Sequence, residues 1–299
     1  MFPALIALDW GTTSLRAYLL DEAGQVLERR AEAAGVMQVT RQELPAAFHR
    51  AVAGWPALPA LASGMVGSSV GWVEAPYAEA PAGAAEVARA LRPVPGVALH
   101  IVPGVVQRGE APNVMRGEET QILGALRLRP DLAARSLMLL PGTHSKWVRV
   151  EDGRIARFDT FMTGELFAVL REHSILGRAG GAAPSEAETL AAFDRGVAAA
   201  RGRGHAAPLL FTARSLVLTG GLPAGLALDY LSGLLIGEEL ACASPGGETL
   251  LLIGDPALCA RYRRALAAFG VADAPVLDAA EATTAGLWHI AQLHRETAP

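Results

Sequence analysis

The stretch that decides the fold is Asp9-Trp10-Gly11-Thr12-Thr13-Ser14, set between two apolar runs near the start of the chain. Leu5-Ile6-Ala7-Leu8 reads as a buried strand and Leu15 to Leu20 as a second one after a tight turn. One carboxylate, one glycine and three hydroxyls lie at the bend. Backbone N–H groups of such a turn, helped by the hydroxyls, suit a phosphate. Asp9, at a strand end, suits Mg²⁺, directly or through waters. The ordinary alternative is a hairpin whose Asp, Thr and Ser make only local turn bonds.

A second stretch of the same design decides between them. Leu137-Met138-Leu139-Leu140 is followed by Pro141-Gly142-Thr143-His144-Ser145-Lys146 and then Trp147-Val148-Arg149-Val150. Gly142-Thr143-His144-Ser145 repeats Gly11-Thr12-Thr13-Ser14 at an offset of 131 residues. Each copy runs into a strand, an acidic-Gly turn (Asp21 to Gly24; Glu151 to Gly153) and a further strand. Two such heads predict an internal duplication with one phosphate hairpin per half. That plan resembles the acetate kinase, sugar kinase, actin and heat-shock chaperone ATPase superfamily. The resemblance implies an α/β chain of two duplicated actin-like ATPase domains, ribonuclease H-like, with a nucleotide cleft between them. We place the first domain at 1–128, on the substrate side, and the second at 129–279, on the nucleotide side. The closing helix, about 280–299, is expected to pack back on the first.

Composition is consistent with this. A chain of 299 residues, 51% hydrophobic and 19% charged, can bury two cores. A net charge of −4 offers no basic stripe for nucleic acid. Cys242 and Cys259 have no metal-ligand spacing and read as reduced, buried thiols of a cytoplasmic protein. The first apolar run ends at Asp9, too short for a signal peptide, and no run is long enough to cross a membrane.

Between the hairpins, Glu43 to Trp55 has helical spacing, with Leu44, Phe48 and Val52 on one face. Ala60-Leu61-Ala62 is a short buried strand delivering Ser63-Gly64-Met65-Val66-Gly67-Ser68-Ser69, whose small residues let backbone approach a ligand. Trp72 and Tyr77 follow, as pocket walls or as core cover. Arg116-Gly117-Glu118-Glu119-Thr120-Gln121 opens the helix Ile122 to Leu128. Acids at a helix start complement its dipole. A polar cluster this dense also supplies a carboxylate to take a proton from an attacking hydroxyl, with Glu118 and Glu119 equal candidates.

In the second half, Met162-Thr163-Gly164-Glu165 opens a helix, and Glu165 sits either in its first turn or against substrate hydroxyls. Segments 179–184 and 201–208 read as loops, and 225–242 as a long helix with a Leu-rich core face. Leu250 to Ile253 is a strand ending at Gly254-Asp255-Pro256, where a missing Cβ would let a purine approach.

In order and spacing these pieces resemble the 2-dehydro-3-deoxygalactonokinase family over nearly the whole chain. The matching stretches run from Asp9 to Arg16, Gly64 to Ser68, Val70 to Trp72 and Ala75 to Tyr77. They continue with Asn113 to Gln121, Pro141 to His144, Lys146 to Val148, Met162 to Leu166 and Leu231 to Gly237. One departure is Ser145, where the resemblance implies Cys. The resemblance implies ATP- and Mg²⁺-dependent phosphorylation of a small sugar acid at its 6-hydroxyl, 2-dehydro-3-deoxy-D-galactonate, in galactonate catabolism.

On this chain it implies Mg²⁺ at Asp9, the transferring phosphate at Gly11, Thr12, Thr13 and Arg16, and the β-phosphate at Gly142, Thr143 and His144, with Lys146 adding charge. Adenine would border Gly254 and Pro256. Ser63, Gly64, Met65, Trp72 and Glu165 would face the substrate, with Arg116 on its carboxylate. Domain closure would exclude water. The oligomeric state is left open, with a homodimer as one arrangement. No Walker-type loop is present. Gly117-Glu118-Glu119 also resembles exopolyphosphatases, so a phosphohydrolase, or a kinase for another sugar acid, is the alternative enzyme. A nucleotide-dependent binding protein, which would lack a base and a substrate pocket, is the alternative from another class.

Overall fold

The structure, a computed structural model, describes residues 2–178, 180, 183–202, 206–244 and 247–297. It divides into two compact units, Met1–Met138 with Val148–Phe158 and Leu277–Pro299, and Leu139–Trp147 with Asp159–Val276. Parts of the two loops expected at 179–184 and 201–208 lie outside the described residues.

The chain opens with strands β1 (Pro3–Trp10), β2 (Leu15–Asp21) and β3 (Val26–Glu32), helix α1 (Leu44–Ala51) and strand β4 (Ala60–Ser63). Next come β5 (Tyr77–Glu79), α2 (Ala84–Arg89), β6 (Arg92–Pro93), β7 (Leu99–Ile101), β8 (Gly104–Gln107), β9 (Asn113–Met115) and α3 (Glu118–Leu128). The second set is β10 (Arg135–Leu140), β11 (Ser145–Glu151), β12 (Arg154–Phe161), α4 (Thr163–His173), α5 (Glu186–Arg201), α6 (Thr212–Leu218) and α7 (Ala227–Ala243). It ends with β13 (Leu250–Gly254), α8 (Pro256–Ala268), β14 (Val276–Asp278) and α9 (Ala279–Thr297).

Sheet order makes the duplication visible. The first sheet runs β3-β2-β1-β4-β7-β6 and the second β12-β11-β10-β13-β14. In both, a three-strand meander is followed by a crossover that returns beside the meander's first strand. β1 pairs antiparallel with β2 and parallel with β4, and β4 pairs parallel with β7. This is the ribonuclease H-like order of actin-like ATPases, present twice. A small third sheet, β5-β8-β9, belongs to the first unit.

Why these residues make these elements is plain in β1, whose Leu5 to Leu8 are buried, as central strands covered on both faces require. β3, at the sheet edge, carries the exposed Glu28 and Arg29 and the half-buried Arg30 and Glu32, charges that discourage pairing with another chain. The first core gathers Ile6, Leu8, Trp10, Leu15, Phe48 and Leu99. The face of α1 that enters it carries Leu44, Ala47, Phe48 and Ala51. Val52 lies just past the helix and is only partly buried.

Helices α3 and α9 touch through backbone. A Cβ on Gly124 would stand 1.8 Å from the Ala282 carbonyl oxygen, and one on Gly286 would stand 2.0 Å from that of Thr120. α9 thus braces the first turn of α3, where the acids lie. Cys259 is buried, but Cys242 is exposed, near the end of α7, so the expectation of two buried thiols holds for one of them. No helix among the described residues is long and apolar enough to cross a membrane.

Candidate active site

In the first unit, register places Asp9 of β1 opposite Arg16 of β2. Arg16 Nη1 donates to Asp9 Oδ2 at 2.9 Å. Burial pushes the Asp9 carboxyl above its ordinary range and the arginine pulls it back. The turn between them closes with Gly11 N–H on the Ser14 carbonyl at 3.0 Å. Val36 and Met37 then donate their N–H groups to the Gly11 and Thr12 carbonyls at 3.1 and 3.0 Å, fixing the turn from behind. The side chains of Thr12 and Thr13 stay exposed.

β4 ends at Ser63, opposite Asp9 in the parallel pair. Gly64 then has φ +100°, and a Cβ there would stand 2.8 Å from the Trp10 carbonyl oxygen. Gly117, the residue before α3, has φ +111°. Two backbones meet here because neither residue carries a side chain.

The contact delivers Glu119, fully buried, to Ser63. Its carboxylate accepts from Gly117 N–H at 2.6 Å and from Thr120 Oγ1 at 2.9 Å. Ser63 Oγ lies 2.7 Å from Thr120 Oγ1 and 3.4 Å from Glu119 Oε1. Burial first, and the neighbouring Glu118 second, raise the Glu119 carboxyl to about 7. Glu118 is only half-buried, and its carboxylate accepts from Arg116 N–H at 3.1 Å.

Arg116 is clamped but incomplete. Its guanidinium lies 4.4 Å from the Tyr77 ring centroid and Nη2 donates to the Ala75 carbonyl at 2.9 Å. Nη1 is buried with no protein partner. The Trp72 ring sits 6.0 Å from those of Trp10 and Phe48, and Met65 packs on the same core. Both therefore support the loop from its apolar side.

In the second unit a cavity of about 500 Å³ opens beside the second turn. Pro141, Gly142 and Thr143 line it with Thr163 and Gly164 at the start of α4. Ser232, Leu235 and Ile236 of α7 and Leu258, Arg261 and Tyr262 of α8 complete much of it. The helix and the turn are in direct contact: Glu165 N–H donates to the Thr143 carbonyl at 3.0 Å, and a Cβ on Gly164 would stand 2.4 Å from the Gly142 carbonyl oxygen. A turn of small residues beside a helix N-terminus is a chemically suitable place for phosphate.

Glu165 pairs with His144, and both belong to the second unit. Lys146 is buried, with Nζ donating to the His144 carbonyl at 3.1 Å, so it braces the turn. Gly254 and Pro256 are not among the lining residues; their neighbours Asp255 and Leu258 are. A Cβ on Gly254 would meet Cys259 Sγ at 3.3 Å and Pro141 Cδ at 3.6 Å, so protein packing also favours a bare strand end there.

Sequence reading missed Arg261 and Glu239. Arg261 is held by Asp229 Oδ1 at 2.7 Å and Ser232 Oγ at 3.1 Å, partners 32 and 29 residues away, and nothing local announces them. Glu239 did leave a signal. It continues the helical face of Ser232, Leu235 and Ile236, an acid in phase with an apolar stripe.

With this geometry in place, relatives can be compared. The family described as 2-keto-3-deoxy-galactonokinase matches residues 9–290. The chain is 42% identical over 292 residues to the probable 2-dehydro-3-deoxygalactonokinase DgoK1 of Rhizobium meliloti (strain 1021), covering 94% of each chain. It is 37% identical to the 2-dehydro-3-deoxygalactonokinase of Escherichia coli (strain K12), covering 89% of this chain and 90% of that one. A crystal structure from Sinorhizobium meliloti, named for the same activity, superposes with a TM-score of 0.87 at 40% identity, over 96% of this chain and 98% of that one. No comparison favours a phosphohydrolase. Matched from its first hairpin into its last helix, and aligned with such relatives over most of its length, the chain belongs to the 2-keto-3-deoxy-galactonokinase family.

Proposed function

We propose that the protein is an ATP-dependent kinase that phosphorylates the 6-hydroxyl of 2-dehydro-3-deoxy-D-galactonate. Family membership carries the activity; Arg116 is the observation that carries the substrate class. A half-buried guanidinium held in place by the Tyr77 ring and the Ala75 carbonyl is a fixed cation suited to a carboxylate, the group that separates a sugar acid from a neutral sugar.

In this reading the first unit holds the acceptor and the second the nucleotide. Glu118 is the base, because the Glu119 carboxylate is fully buried and already serves Gly117, Thr120 and Ser63. As the substrate oxygen bonds to the γ-phosphorus, its proton passes to Glu118 and ADP leaves with the bridging oxygen. Glu119 holds Ser63 and the Gly117 turn in place for that transfer. The second turn and the start of α4 bind phosphate oxygens, and the cavity takes the nucleoside. Catalysis is then mostly positioning and charge stabilisation.

Mg²⁺ fits this residue set. Among the described residues no three His, Cys, Asp or Glu side chains cluster as ligands. A cation held by ATP phosphates and waters needs only one or two carboxylates, and Asp9 is a partly buried one paired with Arg16. When bound, Mg²⁺ would neutralise charge developing on the phosphates. The cytoplasm, which supplies Mg-ATP, is the corresponding compartment.

The deciding experiment is a coupled ADP-release assay with Mg-ATP and 2-dehydro-3-deoxy-D-galactonate, its C4 epimer run in parallel. Turnover should require the sugar acid. Glu118→Gln should lower kcat by about 10²-fold or more, as loss of a general base does. ADP release that is equal without any sugar acid would overturn the kinase reading.

A further inference from the structure

Glu239 is a fully buried acid in the second unit that the mechanism above does not use. Its Oε1 accepts from Trp147 Nε1 of β11 at 2.8 Å. Its Oε2 accepts from Tyr262 OH of α8 at 2.7 Å and from Thr163 Oγ1 at the start of α4. Tyr262 OH also lies 2.9 Å from Ser145 Oγ, the first residue after the second turn. With the tyrosine proton committed to Glu239, Ser145 donates to the tyrosine oxygen. One carboxylate therefore organises donors from three elements, and through Tyr262 it reaches a fourth group, Ser145, directly after the turn.

These elements are the ones that shape the cavity. Thr163 and Tyr262 line it directly, and Ser145 follows the lining residues Pro141, Gly142 and Thr143 by one residue past His144. An apolar side chain at position 239 would fill the same space in a Leu-rich helix without the desolvation that burying a carboxylate entails. Spending that desolvation under a ligand cavity gives directional bonds, which fix the angle between α4 and the turn in a way that apolar packing does not.

We infer that Glu239 is a positioning residue for the nucleotide: through Thr163, Tyr262 and Ser145 it sets the spacing between the α4 N-terminus and the Gly142-Thr143 turn that a nucleoside di- or triphosphate must fit. This rests on the reading of the second unit as the nucleotide side. Glu239 does not touch the ligand itself.

The test is ADP affinity of the full chain, measured by isothermal titration calorimetry without any sugar acid, together with KM for ATP and for the sugar acid. Glu239→Gln keeps the shape and loses the charge. It should raise the ADP dissociation constant and KM for ATP about tenfold or more, the scale of a lost charge-assisted hydrogen bond, and leave KM for the sugar acid unchanged. Ser145→Ala, which removes only the last link, should raise the ADP constant about threefold and carries the test if Glu239→Gln does not fold. A merely structural acid would lower the melting temperature and leave ADP affinity of the folded protein alone.

If the wild type turns over the sugar acid while ADP affinity of the variants stays within about twofold, the positioning role falls and the kinase reading stands. If the variants lose ADP affinity in a chain that phosphorylates no sugar acid, the positioning role stands and the kinase reading falls.

Discussion

Gly117 meets Gly64 backbone to backbone: a Cβ on Gly117 would stand 3.3 Å from the Gly64 Cα, and both residues have positive φ. The approach brings the first turn of α3 onto the end of β4 and thereby sets Glu119 against Ser63, 56 residues apart in sequence. Gly64→Ala should therefore lower stability by about 2 kcal/mol or more, from left-handed strain plus the clash with the Trp10 carbonyl. Urea unfolding gives the stability. The fraction that stays folded should also show reduced kcat, because Ser63 and Glu119 no longer meet.

Glu119 makes stability depend on pH. Its folded-state carboxyl titrates at about 7 against 4.5 for the ordinary side chain, so between these values the folded protein binds a proton that the unfolded chain has released. Stability is favoured by this group below about pH 4.5 and is lost as pH rises through about 7, by up to about 3 kcal/mol. Glu119→Gln removes the titration. Denaturant melts at pH 5 and pH 8 should show a smaller pH-dependent loss in the variant than in the wild type.

Arg116→Lys keeps the charge but cannot present a planar fork. KM for the sugar acid should rise about 10- to 100-fold with KM for ATP unchanged, as expected for a lost charge-assisted hydrogen bond to a carboxylate. Steady-state kinetics with each substrate varied in turn decides it. An equal rise in both constants would place Arg116 outside substrate binding.

Two glycines at the second turn should behave oppositely. Gly142 lines the cavity, and a Cβ there would meet nothing within 4 Å. Gly142→Ala should leave the melting temperature nearly unchanged and raise KM for ATP, since the added methyl would occupy phosphate space. A Cβ on Gly164 would instead stand 2.4 Å from the Gly142 carbonyl oxygen. Gly164→Ala should destabilise by about 1–3 kcal/mol, from overpacking against backbone. Calorimetric melts beside ATP kinetics separate the two effects.

By itself the sequence determined the two hairpins, because apolar strands and the glycine turns that join them are local properties. Repetition of that local pattern determined the duplicated plan, and Arg116, Glu118 and Glu119 stood out as charges crowded into one helix start. It did not distinguish the two acids. That difference appears only once β4 is brought beneath α3, burying Glu119 and leaving Glu118 half-exposed. Glu165 was legible as a first-turn acid, yet its partner His144 lies 21 residues away and is set by how α4 docks on the turn. Gly254 was legible as a bare strand end, while the atoms beside it, Cys259 Sγ and Pro141 Cδ, are set by tertiary packing. Arg261 is a purely tertiary assignment, held by α7 residues 29 and 32 positions away, and Glu239, though in phase with an apolar stripe, finds its partners on a strand and two other helices. Hydrogen-bond geometry depends on where folded backbones cross, and local propensity carries no record of it.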